Sequence, residues 1–348
     1  MLTRLSISSH EEVYRVEDAA CGLRGFIALH STRLGPAAGG LRMRAYDSDT
    51  TALDDVLNLS RGMSYKNAAA GLPLGGGKAV IMGDPARDKT PALLRAMGRA
   101  IDSLDGRYWT AEDMGMTPAD MAEIARATRH VAGRDQGRHA SGDPSPVTAQ
   151  GILNAMRAGA AHLRGEDDLR GRHVAIQGLG HVGWQLCRLL HEAGAQLSVA
   201  DMDEARAAVT AGEFGALTVA PDSIHAVEAD ILAPCAIGGS LHAATIPEIR
   251  AGMVCGAANN QLATPEDADR LRACGILYLP DYVANAGGII SVAAEILGIE
   301  DREAWVAGRL DAIRTTMTQI LDRAAGEGKS PAAIADRVVE EALLDSAV

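Results

Sequence analysis

The chain has 348 residues, 47% of them apolar and 22% charged, with a net charge of −12. Its length favours two domains over one, and its mean hydropathy is near zero, as in ordinary soluble globular proteins. A pI near 5.3, the absence of any lysine-rich run and the absence of an apolar run long enough for a bilayer exclude nucleic-acid and membrane partners.

The N-terminal stretch MLTRLSISSHEEVY lacks the apolar core of a secretory signal, so a cytoplasmic location is expected. Cys21, Cys187, Cys235, Cys255 and Cys274 are widely spaced and form no CxxC pair. They read as reduced thiols, with no disulfide frame and no metal site.

Within the first 50 residues, 25–30 read as a strand, 35–40 (GPAAGG) as a loop that exposes backbone, and 41–43 as resumed strand. On their own, Gly39 and Gly40 read as turn glycines. Thr51 with Asp54 has capping-box spacing and opens a helix over 52–66. Leu53, Val56, Leu57, Ser60 and Met63 form its apolar stripe, and Lys66 lies near its end. Gly75-Gly76-Gly77 is expected as a turn feeding a strand over 79–82, with Lys78 at the junction. Glycines there let another molecule approach the residue that follows. A triphosphate-binding loop is excluded, because Leu72 and Ala79 stand where that loop needs a glycine and a hydroxyl.

Thr90-Pro91 starts a second helix that ends at Gly106. A strand over 108–111 delivers Glu112-Asp113 at its tip, and Thr117-Pro118 starts a helix expected to reach Val131. Strand and helix alternate, so this half is α/β. A carboxylate at a strand's C-terminal end commonly faces a cleft in such folds, which singles out Asp113 over an ordinary turn-capping aspartate. Residues 133–147, rich in Gly, Pro, Ser and charge, read as the linker. A helix bearing Thr148, Ile152, Leu153 and Met156 follows.

The strand over 173–177 runs into Gly178-Leu179-Gly180-His181-Val182-Gly183 and then a helix. A second strand ends at Asp201, 18 residues past the last glycine. In this context GxGxxG is a dinucleotide fingerprint. Gly178 makes the tight turn, Gly180 admits the pyrophosphate and Gly183 lets helix and strand pack, while helix N–H groups hold the diphosphate. Asp201 accepts from the ribose hydroxyls and, with Asp203, repels a 2′-phosphate. NAD is therefore expected over NADP, with Arg206 the one nearby base. Three further strand–loop–helix units end at Ala233-Pro234-Cys235-Ala236, Ala257-Ala258-Asn259-Asn260 and Asn285-Ala286-Gly287-Gly288. Asn259 and Asn285 carry amides suited to the nicotinamide side, although a loop asparagine is more commonly a helix N-cap. Helices over 288–298, 301–325 and 330–345 close the chain.

Taken together, these motifs resemble the amino acid dehydrogenases of the glutamate/leucine/phenylalanine/valine group, nearest the leucine and phenylalanine branch. The likeness rests on GPAAGG at 35–40, Tyr65-Lys66-Asn67, Gly75-Gly76-Gly77-Lys78, Thr110-Ala111-Glu112-Asp113, PSPVTA at 144–149, the three strand-end loops and AANNQL at 257–262. It implies reversible NAD-dependent oxidative deamination of an L-amino acid to its 2-oxo acid and ammonia. It also implies two domains separated by a cleft. One is an N-terminal α/β substrate and oligomerisation domain, residues 1–135 plus a returning C-terminal helix about 325–348. The other is a Rossmann-type doubly wound domain over 145–320. A homo-oligomer built through the N-terminal domain is implied as well.

By the same resemblance, Lys66 and the Gly39-Gly40 backbone hold the substrate carboxylate, Lys78 is the catalytic lysine, and Asp113 shuttles the amine proton. Ala38, Ala111, Ile289 and Val292 line the side-chain pocket with Asn259 and Asn285. Thr148, residues 178–183, Asp201, Cys235, Ala236, Ala258, Asn259 and Asn285 hold the cofactor. The chemistry needs a base near neutrality. A lysine becomes one when burial and a nearby cation lower its pKa, and Lys66 is placed to supply that cation.

Ala38 stands where the leucine branch is usually larger, and Leu41 where Thr is common, which widens the expected pocket toward aromatic side chains. Arg44-Ala45-Tyr46 is unusual, and His181 and Trp184 are uncommon choices. Two other readings stay open: an enzyme coupling an amino acid with a 2-oxo acid on the same scaffold, and a catalytically silent NAD-binding protein. Lys66, Lys78 and Asp113 together speak against the second.

Overall fold

Short runs of alternating apolar residues near the N-terminus are the imprint of a sheet with a covered face. The computed structural model describes residues 2–134, 136–137 and 139–345. Its contacts gather into two units. The first comprises Met1–Asp143, Ile289–Val306 and Glu340–Val348; the second comprises Pro144–Gly288 and Ala307–Val339. Residues 289–306, expected to run with the second domain, thus pack with the first. Of the returning C-terminal segment, only the part from Glu340 onward belongs to the first unit. Among the described residues, no helix is long and apolar enough to cross a membrane.

In chain order the first unit holds β1 (Leu2–Leu5), β2 (Glu12–Asp18), β3 (Leu23–Ser31), β4 (Ala37–Ala38), β5 (Leu41–Arg44), α1 (Asp49–Ala69), β6 (Gly75–Met82), α2 (Pro91–Asp102), β7 (Tyr108–Trp109) and α3 (Pro118–Ile124). The sheet order is β1-β2-β3-β6-β4-β7, with β5 also paired to β6. Leu93, Met97, Ile101, Met121 and Ile124 from α2 and α3 cover one face, against Ile27, Leu29, Ala79 and Ile81. Ala52 and Val56 of α1 cover the other, against Phe26, Ala28 and Val80.

Local structure corrects several sequence expectations. The first helix starts earlier than 52, because Ser48 is its N-cap and accepts from the Thr51 amide, with Asp49 in the positive first turn. Val56 and Ser60 of the expected stripe are buried, but Ala52, Ser64 and Asn67 are buried with them while Leu53, Leu57 and Met63 are only partly so. The three glycines are not a turn but the first half of β6. The helix from Thr117 stops at Ile124, and Val131 instead bridges Thr110. The linker is not free chain. Buried Glu295 accepts from the amides of Gly133 (2.9 Å) and Ser141 (3.0 Å), the Ser141 hydroxyl (2.9 Å) and Arg134 Nε (2.7 Å). In the same unit Tyr65 Oη donates to Glu340 at 2.8 Å.

The second unit holds α4 (Ser145–Arg164), β8 (His173–Gln177), α5 (His181–Glu192), β9 (Gln196–Ala200), α6 (Glu204–Phe214), β10 (Leu217–Thr218), β11 (Ile231–Pro234), β12 (Met253–Val254), α7 (Asp267–Ala273), β13 (Leu277–Tyr278) and α8 (Asp281–Ala284). The chain then continues as α9 (Gly287–Ile296), α10 (Arg302–Glu327) and α11 (Pro331–Asp345). The six strands run parallel in the order β10-β9-β8-β11-β12-β13. That is the 3-2-1-4-5-6 order of a doubly wound dinucleotide-binding sheet. Trp184 on α5 packs on Phe214 of α6 (ring centroids 5.3 Å apart), which accounts for that uncommon residue as a helix–helix contact.

Candidate active site

Strand β6 meets two short strands end to end on one edge. Ala38 pairs with Gly76 and Leu41 with Ala79, so the break at Gly39-Gly40 lies opposite Gly77-Lys78. A side chain on Gly76 would run into the backbone of Ser64 in α1, and one on Gly77 into the Tyr108 ring. The glycines therefore let helix and ring close on the strand from its two faces. By strand alternation Lys78 shares the α1-facing side with Gly76 and Val80.

Lys78 is 4% exposed, and its ammonium is ion-paired to Asp113 Oδ2. The other oxygen, Oδ1, accepts from Arg42 Nε at 3.0 Å and from the Met114 amide at 2.6 Å. Arg42 Nη1 reaches both oxygens of Asp55 (3.3 and 3.1 Å), and Tyr46 Oη donates to Asp55 Oδ2 at 2.6 Å. Burial acts to raise the Asp113 pKa, but the charges of Lys78 and Arg42 and their hydrogen bonds outweigh it and hold the group well below the ordinary carboxylate range. Burial and the Asp55 carboxylate raise the Tyr46 phenol.

The same break fixes the backbone of Gly39 and Gly40. Tyr108 Oη donates to the Gly39 carbonyl at 2.7 Å, and the Gly39 amide is held by the Trp109 carbonyl at 3.1 Å. Lys66 is half-buried near the end of α1. Its neighbour Asn67 is fully buried and donates to the carbonyls of Gly75 (2.5 Å) and Ala38 (3.4 Å). Ala38 is fully buried and Ala111 nearly so; Ile289 is buried and Val292 half-buried on α9. Arg42, Tyr108 and Asn67 escaped the sequence reading. An arginine on a strand, a tyrosine before a turn and an asparagine inside a helix each have ordinary structural uses.

In the second unit Gly178 adopts φ +93°, and Ala236 fills the place a side chain would take. Gly183 lies against the Gly178 carbonyl, whereas nothing lies within 4 Å of a side-chain position on Gly180. His181 and Val182 begin α5, whose first amides have no side-chain cap. These are the donors and the space a diphosphate needs, so the loop fits the group. Asp201, at the end of β9, accepts from the Leu179 amide at 2.7 Å and from Arg206 Nη1 at 3.4 Å. Burial acts against its charge, but hydrogen bonds from the Asp203 and Leu179 amides and the Arg206 charge lower its pKa.

Cys235 is half-buried and Ala258 buried. Asn285 donates to Asn259 Oδ1 at 3.0 Å and to the Ala257 carbonyl at 3.1 Å, which brings the two predicted asparagines together. The buried Asn285 Oδ1 has no hydrogen-bond partner among the described residues. Thr148 donates to the Pro144 carbonyl at 2.9 Å and borders Gly288. All five cysteines are free thiols, and no group among the described residues is arranged to hold a metal.

Comparison with known proteins finds relatives along most of the chain. A family model described as the dimerisation domain of Glu/Leu/Phe/Val dehydrogenases matches residues 7–130. A second, described as Glutamate/Leucine/Phenylalanine/Valine dehydrogenase, matches residues 197–343. The chain is 47% identical over 332 residues to a leucine dehydrogenase of Geobacillus stearothermophilus, covering 95% of this chain and 90% of that one. It is 47% identical over 342 residues to a valine dehydrogenase of Streptomyces coelicolor, covering 97% and 93%. Its fold is similar to that of an L-tryptophan dehydrogenase from Nostoc punctiforme, with a TM-score of 0.85, 40% identity and 97% of each chain covered.

Proposed function

The chain belongs to the glutamate/leucine/phenylalanine/valine dehydrogenases, and from that membership we propose that it oxidatively deaminates an apolar or aromatic L-amino acid with NAD. It is an amino acid dehydrogenase using a nicotinamide cofactor. The reaction is reversible: amino acid, NAD⁺ and water give 2-oxo acid, ammonia, NADH and a proton. The observation that carries the reading is the buried Lys78–Asp113 ion pair set into the break at Gly39-Gly40.

The nicotinamide, when bound, accepts hydride from the substrate α-carbon. The remaining work falls to the chain. Lys66 and the Gly39 and Gly40 backbone bind the substrate carboxylate, while Ile289 and Val292 bound an apolar side chain beside Ala38 and Ala111. Water must add where the amine leaves, and Lys78, in its neutral amine form, is the base that takes its proton. Asp113, ion-paired to Lys78 at rest, takes the proton of the departing amine in passing. Two groups thus divide the acid–base work.

In the second unit the amides of residues 178–183 and Thr148 hold the diphosphate, with Cys235 and Ala236 behind the loop. Ala258, Asn259 and Asn285 serve the nicotinamide side, where the Asn285 oxygen, without a hydrogen-bond partner among the described residues, offers an acceptor. Asp201 supports NAD, because a 2′-phosphate beside that carboxylate meets like charge. The dimerisation description of the matched family model supports a homo-oligomer, and five free thiols suit a reducing cytoplasm.

A spectrophotometric scan of the twenty amino acids with NAD and with NADP at alkaline pH tests the proposal. NADH should form with leucine, valine or an aromatic amino acid. No signal with any apolar or aromatic amino acid rejects it.

A further inference from the structure

The contacts of Asp113 do not end at Lys78. Its Oδ1 receives two donors, Arg42 Nε and the Met114 amide, which leaves Oδ2 as the working oxygen on the lysine side. Arg42 is itself held from behind. Asp55, on α1, takes its Nη1, and Tyr46 takes Asp55. Arg42 therefore spans two carboxylates from two different elements and has only 15% of its side chain exposed. So engaged, it is ill placed to serve as a substrate anchor.

We propose that Arg42 is a positioning residue for the proton chemistry: its guanidinium sets the plane of the Asp113 carboxylate against Lys78, and Asp55 with Tyr46 sets the guanidinium. The inference rests on the reading above that Lys78 and Asp113 handle the protons. A planar guanidinium suits the task, because its donors lie in one fixed fork and address two carboxylates at once. An ammonium has no such fork. The charged groups facing Asp113 are Lys78 from β6 and Arg42 from β5, with Asp55 of α1 behind Arg42. Arg42 thus contributes fixed positive charge as well as direction. Removing it raises the pH at which its neighbours give up their protons.

The test compares Arg42→Met, Arg42→Lys and Asp55→Asn with the wild type across pH, using the best amino acid from the scan. Arg42→Met should lower kcat roughly 10- to 100-fold, with KM changed less than about 3-fold. The acid limb of its pH profile should move upward by about one unit. Arg42→Lys keeps the charge but not the fork, so its limb should stay in place while kcat recovers only in part. Asp55→Asn removes a negative charge and should not move the limb upward. NAD affinity, read by fluorescence quenching without turnover, should remain within about 3-fold throughout. If Arg42→Met does not fold, Arg42→Gln takes its place. An acid limb unmoved in Arg42→Met, or moved as far in Arg42→Lys, overturns the inference. A wild type that reduces no nicotinamide with any amino acid overturns the functional reading, and the inference with it.

Discussion

At the residue scale, Asp201 is where the proposed choice of NAD turns. Its carboxylate is partnered by backbone amides and by Arg206, so a substitution removes a ribose acceptor and frees a cation together. Loss of a charged hydrogen bond costs about 1.5–3 kcal/mol, so Asp201→Ser should lower kcat/KM for NAD roughly 10- to 100-fold. The ratio of kcat/KM for NAD and NADP should shift toward NADP; an unchanged ratio takes Asp201 off the ribose. Single residues were legible in the sequence where a motif framed them. Gly178, Gly183 and Asp201 had strand, turn and helix around them, and Lys78 and Asp113 were picked out as strand-end residues, although Lys78 lies inside β6 and Asp113 four residues past β7. Arg42 had no such frame. Its role depends on Asp113 and Asp55, which lie 71 and 13 residues away and meet it only in the folded sheet.

At the scale of elements, most strands and helices could be read from period and punctuation, and the errors share one cause. A glycine triplet reads as a turn from sequence, yet here each glycine is a strand residue with a neighbour in the place of its missing side chain. Small residues at 52 and 64 are buried where Leu53, Leu57 and Met63 were expected for the same reason, since the helix lies close enough at Ser64 to exclude larger ones. Long-range closeness of this kind leaves no periodic trace in the chain. Gly76→Ala should therefore destabilise the fold by roughly 1–3 kcal/mol, because the added methyl meets the α1 backbone at Ser64 and cannot turn away. Urea denaturation measures this, and a wild-type midpoint would mean that α1 can retreat at no cost.

At the scale of the molecule, the expected linker is fastened within the first unit. Glu295 collects the amides of Gly133, Arg134 and Ser141, a hydroxyl and an arginine side chain. Glu295→Ala leaves buried amides without an acceptor and should cost about 3 kcal/mol. Glu295→Gln, which retains one carbonyl oxygen, should cost less. Thermal unfolding of the two variants distinguishes them, and equal midpoints would show that the carboxylate does not hold the segment. Composition marked residues 133–147 as a boundary, but nothing local announced an acceptor some 150 residues downstream.

That unit is assembled from three separate stretches of chain, and Tyr65 donates to Glu340, 275 residues further on. A ribosome delivers residue 65 long before residue 340, so the nascent first unit must wait, part of its surface uncovered, until its last stretch is made. Premature termination shortly before residue 340 would therefore injure the part of the protein made first.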